Sequence, residues 1–190
     1  MDGGVQGRSG MVRVKILETD NVRTTPWHNA IPSNDFTVRI PLPALRPGTQ
    51  YDIEVEAKTG DSTEVSTIRG KFGTSPPEDA TKPVTFVTST CQYFWNYDDD
   101  IRGFKTYDSM SRLDPDFFVH TGDYVYYDRI GPMVDSIEKA RHKWHAMNSR
   151  PSIRDFLQMT PMYMIKDDHD LLRDDTYPDS SPLGDFTLDK

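Results

Sequence analysis

Between Met11 and Ser75 apolar and polar residues alternate. The alternation is clear in Val12-Arg13-Val14-Lys15-Ile16, in Phe36-Thr37-Val38-Arg39-Ile40 and in Tyr51-Asp52-Ile53-Glu54-Val55-Glu56-Ala57. A further segment, Ser66 to Phe72, follows the turn residues Lys58-Thr59-Gly60-Asp61. A period of two predicts half-buried strands, and antiparallel pairing leaves one face of such a sheet wet. The proline-rich stretch Ser75-Pro76-Pro77-Glu78-Asp79-Ala80-Thr81-Lys82-Pro83 reads as a linker. Beyond it the pattern changes to short apolar runs separated by helical spacing. Val84 to Thr88, Phe117 to His120 and Met162 to Ile165 are predicted as strands, the first two buried. Asp98 to Leu113 and Met133 to Met147 are predicted as helices, followed by a third that carries Ile153, Phe156 and Leu157, with Ser149 as N-cap and Pro151 in its first turn. Strands alternating with helices argue for parallel pairing in a layered α/β domain.

The segment Leu45-Arg46-Pro47-Gly48-Thr49-Gln50-Tyr51 resembles the turn before the penultimate strand of a fibronectin type III-like sandwich, in which the tyrosine packs at the corner where the chain re-enters the sheet. About four to five strands are visible where such a sandwich has about seven. The expectation is an incomplete fibronectin III-like domain over residues 1–75, with the natural start of the protein upstream of Met1.

Composition narrows the function classes. The 190 residues include 30 acidic and 22 basic ones, for a formal net charge of -8, which speaks against a nucleic-acid partner. A hydrophobic share of 35% supports packed cores. No apolar run reaches the length of a membrane span, no export signal is visible at the N-terminus, and the single cysteine, Cys91, excludes an intrachain disulfide.

Polar clusters stand directly after the three α/β strands: Ser89-Thr90-Cys91-Gln92, Gly122-Asp123-Tyr124-Val125-Tyr126 and Asp167-Asp168-His169-Asp170. Ligands of open α/β sheets bind beyond the carboxyl ends of strands, so these clusters are expected to converge. Thiolate, carboxylate, phenolate and imidazole all ligate metals, and the oxygen-rich share favours hard cations. Each residue also has a plainer reading. Cys91 alone is a small hydrophobe, Asp123 a turn residue and the aspartates 167–175 a solvated loop. Tyr124 and Tyr127 read as packing residues, His120 as structural, and His142 and His145 as solvent-facing on a basic helix; His28 has no evident partner.

Gly-Asp-x-x-Tyr at Gly122–Tyr126, followed by Asp168-His169, resembles the calcineurin-like metallophosphoesterase superfamily. Ser-x-Cys-Gln after the first strand and Asp-Asp-His-Asp after the third resemble its PhoD-like alkaline phosphatases. The resemblance implies a fibronectin-like domain followed, over residues 84–190, by the N-terminal half of a catalytic domain that hydrolyses phosphate mono- or diesters of small molecules. It implies Cys91 and Tyr126 as ligands of Fe(3+), Asp123 as the bridge to a divalent cation, Ca(2+), and Asp168 as a ligand of the latter. His169 is then the acid or charge stabiliser at the leaving oxygen, in an in-line displacement between two metals. It further implies an extracellular or periplasmic location for the full-length parent. Two alternatives are a purple acid phosphatase, whose Gly-Asn-His has Asp168 in place of asparagine here, and a non-catalytic fibronectin-type binding module. Lys166 before Asp-Asp-His and Asp170 in place of the commoner glutamate depart from the family pattern. The family's later half is absent, so this chain is expected to lack a complete site and to be inactive alone.

Overall fold

The computed structural model describes residues 7–19, 21–177 and 181. They divide into two compact units, the first of residues up to Val84 with Gln158–Thr160 and the second of residues 85–157 and those from Pro161 on.

The first unit is built on one antiparallel sheet. Strand β1 (Gly10–Glu18) pairs with β2 (Asn21–Thr24) and β3 (His28–Ala30) along one side and with β4 (Gln50–Lys58) along the other, and β4 pairs with β5 (Ser66–Gly73). Register sets the faces, because side chains alternate. Val14 lies opposite Val55 and Ile16 opposite Ile53, and Val14, Ile16 and Tyr51 form the buried cluster. On the other face Arg13 and Lys15 both donate to Glu56, whose carboxyl is held below its ordinary value by Lys15 first and Arg13 second. Tyr51 is fully buried and its hydroxyl accepts the Arg46 amide at 2.7 Å, fixing the entry to β4.

The strand predicted over Phe36–Ile40 does not form. Asp35 and Phe36 are both left-handed, with φ of 51° and 56°, after a 3-10 turn at Pro32–Asn34. Pro41, Pro43 and Pro47 then remove the amide donors that a ladder needs. Ile40, Leu42 and Leu45 still pack on the buried cluster, so the alternation reflects burial of an irregular segment.

The second unit holds a parallel sheet in the order β6 (Phe86–Ser89), β7 (Phe117–His120), β8 (Met162–Met164). Its helices are α1 (Lys105–Ser111), α2 (Ile137–Asn148), α3 (Pro151–Met159) and α4 (Asp168–Leu171). Phe118 lies at the centre of the core, edge-on to Tyr107, Phe156 and His120. β6 and β7 are predicted as buried strands, but only one face of the sheet is covered. Phe86 stacks on Phe117, Phe117 meets Tyr163, and Phe86 and Tyr163 are 56% and 64% exposed. Among the described residues nothing covers this aromatic row, although parallel sheets are ordinarily covered on both sides.

Three helix boundaries differ from the sequence expectation, each through a side-chain competitor for backbone groups. Residues 98–104 form turns, because Asp99 accepts the amides of Ile101 and Arg102, and Asp98 that of Lys105. Helix α2 starts at Ile137, where Ser136 accepts the Lys139 amide. Ser149 ends α2 instead of capping α3, its hydroxyl donating to the Ala146 carbonyl at 2.8 Å.

Candidate metal centre

The segments leaving β6, β7 and β8 are joined by backbone hydrogen bonds just beyond the strand ends. Cys91 and Gln92 donate their amides to the carbonyls of Gly122 and Asp123, at 3.1 and 2.8 Å. Cys91 and Asp123 are themselves left-handed, with φ of 55° and 56°, an uncommon state for residues with a side chain and one that concentrates at functional sites. Gly122 has φ of 111°, and a Cβ there would lie 2.4 Å from the Asp167 Cβ. Only glycine allows the β7 loop to pass that close to the start of α4.

Helix α4 is set by its acidic run. The Asp167 and Asp170 carboxylates cap the helix reciprocally. Asp170, with no exposed surface, also accepts the Val125 amide at 2.8 Å, and Tyr127 donates its amide to the His169 carbonyl at 3.0 Å. Burial raises the Asp170 carboxyl above its ordinary value, while the amides of Val125 and Asp167 oppose the rise. Asp170 and Asp167 therefore serve structure, and Asp168 and His169 are left to face the other strand ends.

Cys91, Asp123, Tyr126, Asp168 and His169 come together here. Asp123 Oδ2 accepts from the Cys91 thiol at 3.5 Å and from the Tyr126 hydroxyl at 3.2 Å. Asp123, Asp168 and His169 each present a ligand atom, all within 4.8 Å of one another, and Asp168 shares a second such group with the exposed Asp174 and Asp175. The Tyr126 ring lies 4.3 Å from that of His169. Tyr124 and Tyr127 pack instead. Tyr124 donates to Asn148 Oδ1 at 2.6 Å, and the Tyr127 hydroxyl accepts the Trp144 indole N–H at 2.8 Å.

The electrostatics suit a cation. Burial raises the Asp123 carboxyl above its ordinary value, with the Asp168 charge adding and His169 opposing. Burial also raises the Tyr126 phenol, and the Asp123 and Cys91 charges push it further. Asp168 behaves differently: burial pushes it up, but the amides of Asp175 and His169 outweigh that and hold it low. Asp123 Oδ1 is buried without a hydrogen-bond partner, an unusual state for a carboxylate oxygen and one that a cation would relieve. Carboxylate oxygens, imidazole, phenol and thiol are all groups that ligate metal ions.

Two residues that sequence reasoning passed over also matter. Asp128 Oδ1 lies 2.8 Å from His169 Nδ1, with both side chains nearly buried. That contact puts the ring proton on Nδ1 and leaves Nε2 available, 3.6 Å from Asp174. Lys143, placed by sequence in a solvated stretch, is 2% exposed. His142 and His145 beside it are half-buried, not solvent-facing, and His120 is fully buried on the core side of β7.

A family model described as PhoD-like phosphatase matches residues 86–187. The chain belongs to the PhoD-like phosphatase family. The solved structure of PhoD aligns with a TM-score of 0.68 at 20% identity, over 89% of this chain. At that identity the likeness speaks for the fold. The PhoD-like chain spans 34% of that structure's length. No curated protein matches. In this PhoD-like chain no described helix is long and apolar enough to cross a membrane.

Proposed function

We propose that these residues form part of the active centre of a phosphoesterase acting on small phosphate mono- or diesters, with Fe(3+) and a divalent cation, Ca(2+), as resident metals. The observation that carries the reading is Asp123: a buried carboxylate with one unpartnered oxygen, surrounded by Cys91, Tyr126, Asp168 and His169. Cys91 and Tyr126 would hold the ferric ion, Asp123 both ions, and Asp168 the divalent one. When bound, the metals supply Lewis acidity at the phosphoryl oxygens and offset the crowded carboxylates. Asp128 orients the His169 imidazole, whose Nε2 side would serve the departing oxygen as acid or as charge stabiliser. Asp170 and Gly122 keep Asp168 and His169 against Asp123. The first unit is read as an incomplete fibronectin III-like domain, supported by the buried Tyr51 at its corner. The reading carries with it a location outside the cytoplasm for the parent protein.

Metal capture tests this on the chain itself. Titration with chelated ferric iron is expected to develop a visible phenolate-to-iron band, which Tyr126→Phe abolishes and Asp123→Asn weakens. Absence of the band at saturating iron would overturn the assignment of Tyr126 as a ligand.

A further inference from the structure

Lys143 is the buried charge of the second unit that the proposed chemistry leaves unused. It sits on the inner side of α2, 2% exposed, and its ammonium donates to two backbone oxygens, Arg129 O at 2.9 Å and Ile130 O at 3.4 Å. A buried ammonium is costly unless its protons are accepted, so a lysine directed at carbonyls inside a core calls for a reason. Those carbonyls follow directly on Asp128. The preceding residue, Tyr127, is also held: its hydroxyl by Trp144, the next residue on α2, and its carbonyl by the amide of Val134, ahead of that helix, at 2.8 Å. Segment 127–130 is thus fixed from α2 on both sides of Asp128. Asp128 in turn reaches His169 Nδ1 through Oδ1 and the Asp174 amide through Oδ2, at 2.8 and 3.3 Å. Burial lowers the Lys143 pKa to about 8, and the Asp128 charge opposes that drop, so the two groups feel each other without pairing.

We infer that Lys143 is a positioning residue, whose ammonium draws the Arg129 and Ile130 carbonyls onto α2 and so sets Asp128 against Nδ1 of His169. The consequence for catalysis rests on the phosphoesterase reading, because only there does a fixed Nε2 matter for rate. The positioning itself is visible without any reaction.

Long-range proton–nitrogen correlation spectra of the chain with isotope-labelled histidine provide the test. His169 is expected as the Nδ1–H tautomer with a slowly exchanging ring proton. His120 accepts the Gly122 amide at Nδ1 and reports the opposite tautomer, serving as an internal indicator that the fold is intact. Lys143→Met keeps the apolar stem and removes the ammonium. It is expected to speed exchange of the His169 ring proton by about tenfold or more and to mix its tautomers, with His120 unchanged. Should that variant not fold, Lys143→Gln, whose amide is one atom short of the carbonyls, is read by the same two signals. A folded variant with the wild-type His169 signature overturns the inference. Failure of the chain to capture metal would instead count against the phosphoesterase reading, and leaves the His169 comparison to decide the role of Lys143.

Discussion

The carboxylate of Asp170 accepts the amide of Val125 across forty-five positions of sequence, at 2.8 Å and out of reach of solvent. One side chain thereby joins the β7 loop to helix α4. Asp170→Ala leaves the Val125 amide buried and unpaired and removes half of the capping box. A loss of about 2–4 kcal/mol in urea unfolding is expected. Asp170→Asn keeps an acceptor and is expected to cost less than half as much. Equal stability of the alanine variant and wild type would show that the contact is dispensable.

Gly122→Ala meets two obstacles, a left-handed backbone and an Asp167 Cβ at 2.4 Å. Neither is relieved by rotating a side chain. The variant is expected to lose about 2–4 kcal/mol and to weaken metal capture. Thermal unfolding with and without iron reads both effects.

His120 gives the pH dependence. Burial lowers its pKa from 6.5 to about 4. Between those values the unfolded chain binds a proton that the folded chain refuses, so the stabilising preference is full above about pH 6.5 and is lost as pH falls toward 4. The span corresponds to roughly 3 kcal/mol at most. Asp123 and Asp170, with raised values, act in the opposite sense in acid. The comparison of wild type with His120→Phe isolates the histidine: urea midpoints measured from pH 7 to 4.5 are expected to fall less steeply in the variant.

Asp123→Asn separates stability from metal capture. Removing a buried charge beside Asp168 is expected to leave the metal-free protein as stable as wild type or more so. A cation at a hundred times its dissociation constant should stabilise wild type by about 2.7 kcal/mol and the variant by little. Equal stabilisation of both by the same cation would remove Asp123 from the ligand set.

His169→Ala is expected to keep the iron band, since it takes away no iron ligand. In a metal-loaded, turning-over PhoD-like protein the same change should reduce hydrolysis of p-nitrophenyl phosphate by about 10²–10⁴-fold. Loss of the band together with the rate would make His169 a ligand.

Long-range placement and local chemistry were legible to different degrees. β1 and β4 show in their alternation because each has one buried face, and β5 shows through the turn residues before it, whereas β2 and β3 are three or four residues held only by register against β1. Phe36–Ile40 imitated a strand because Ile40 and the leucines after it are half-buried from irregular backbone. The donor clusters were readable since parallel strands carry their ligands at their carboxyl ends. Asp128 and Lys143 were not. Their partners stand forty-one and fourteen positions away, and an aspartate beside an arginine, or a lysine between two histidines, looks like solvated surface until burial is known.

Cys91 and Asp123 answer to two filters at once. The proposed chemistry asks for a soft sulfur and a two-oxygen acid, while φ values of 55° and 56° ask for a residue that tolerates a left-handed turn. Asparagine and aspartate enter that region readily, and valine or isoleucine do not. Evolutionary drift at position 123 is therefore channelled toward asparagine, a neighbour that preserves the loop and discards the charge. A lineage that gave up catalysis by that route would keep its fold, and would pass for an intact enzyme in any comparison of backbones.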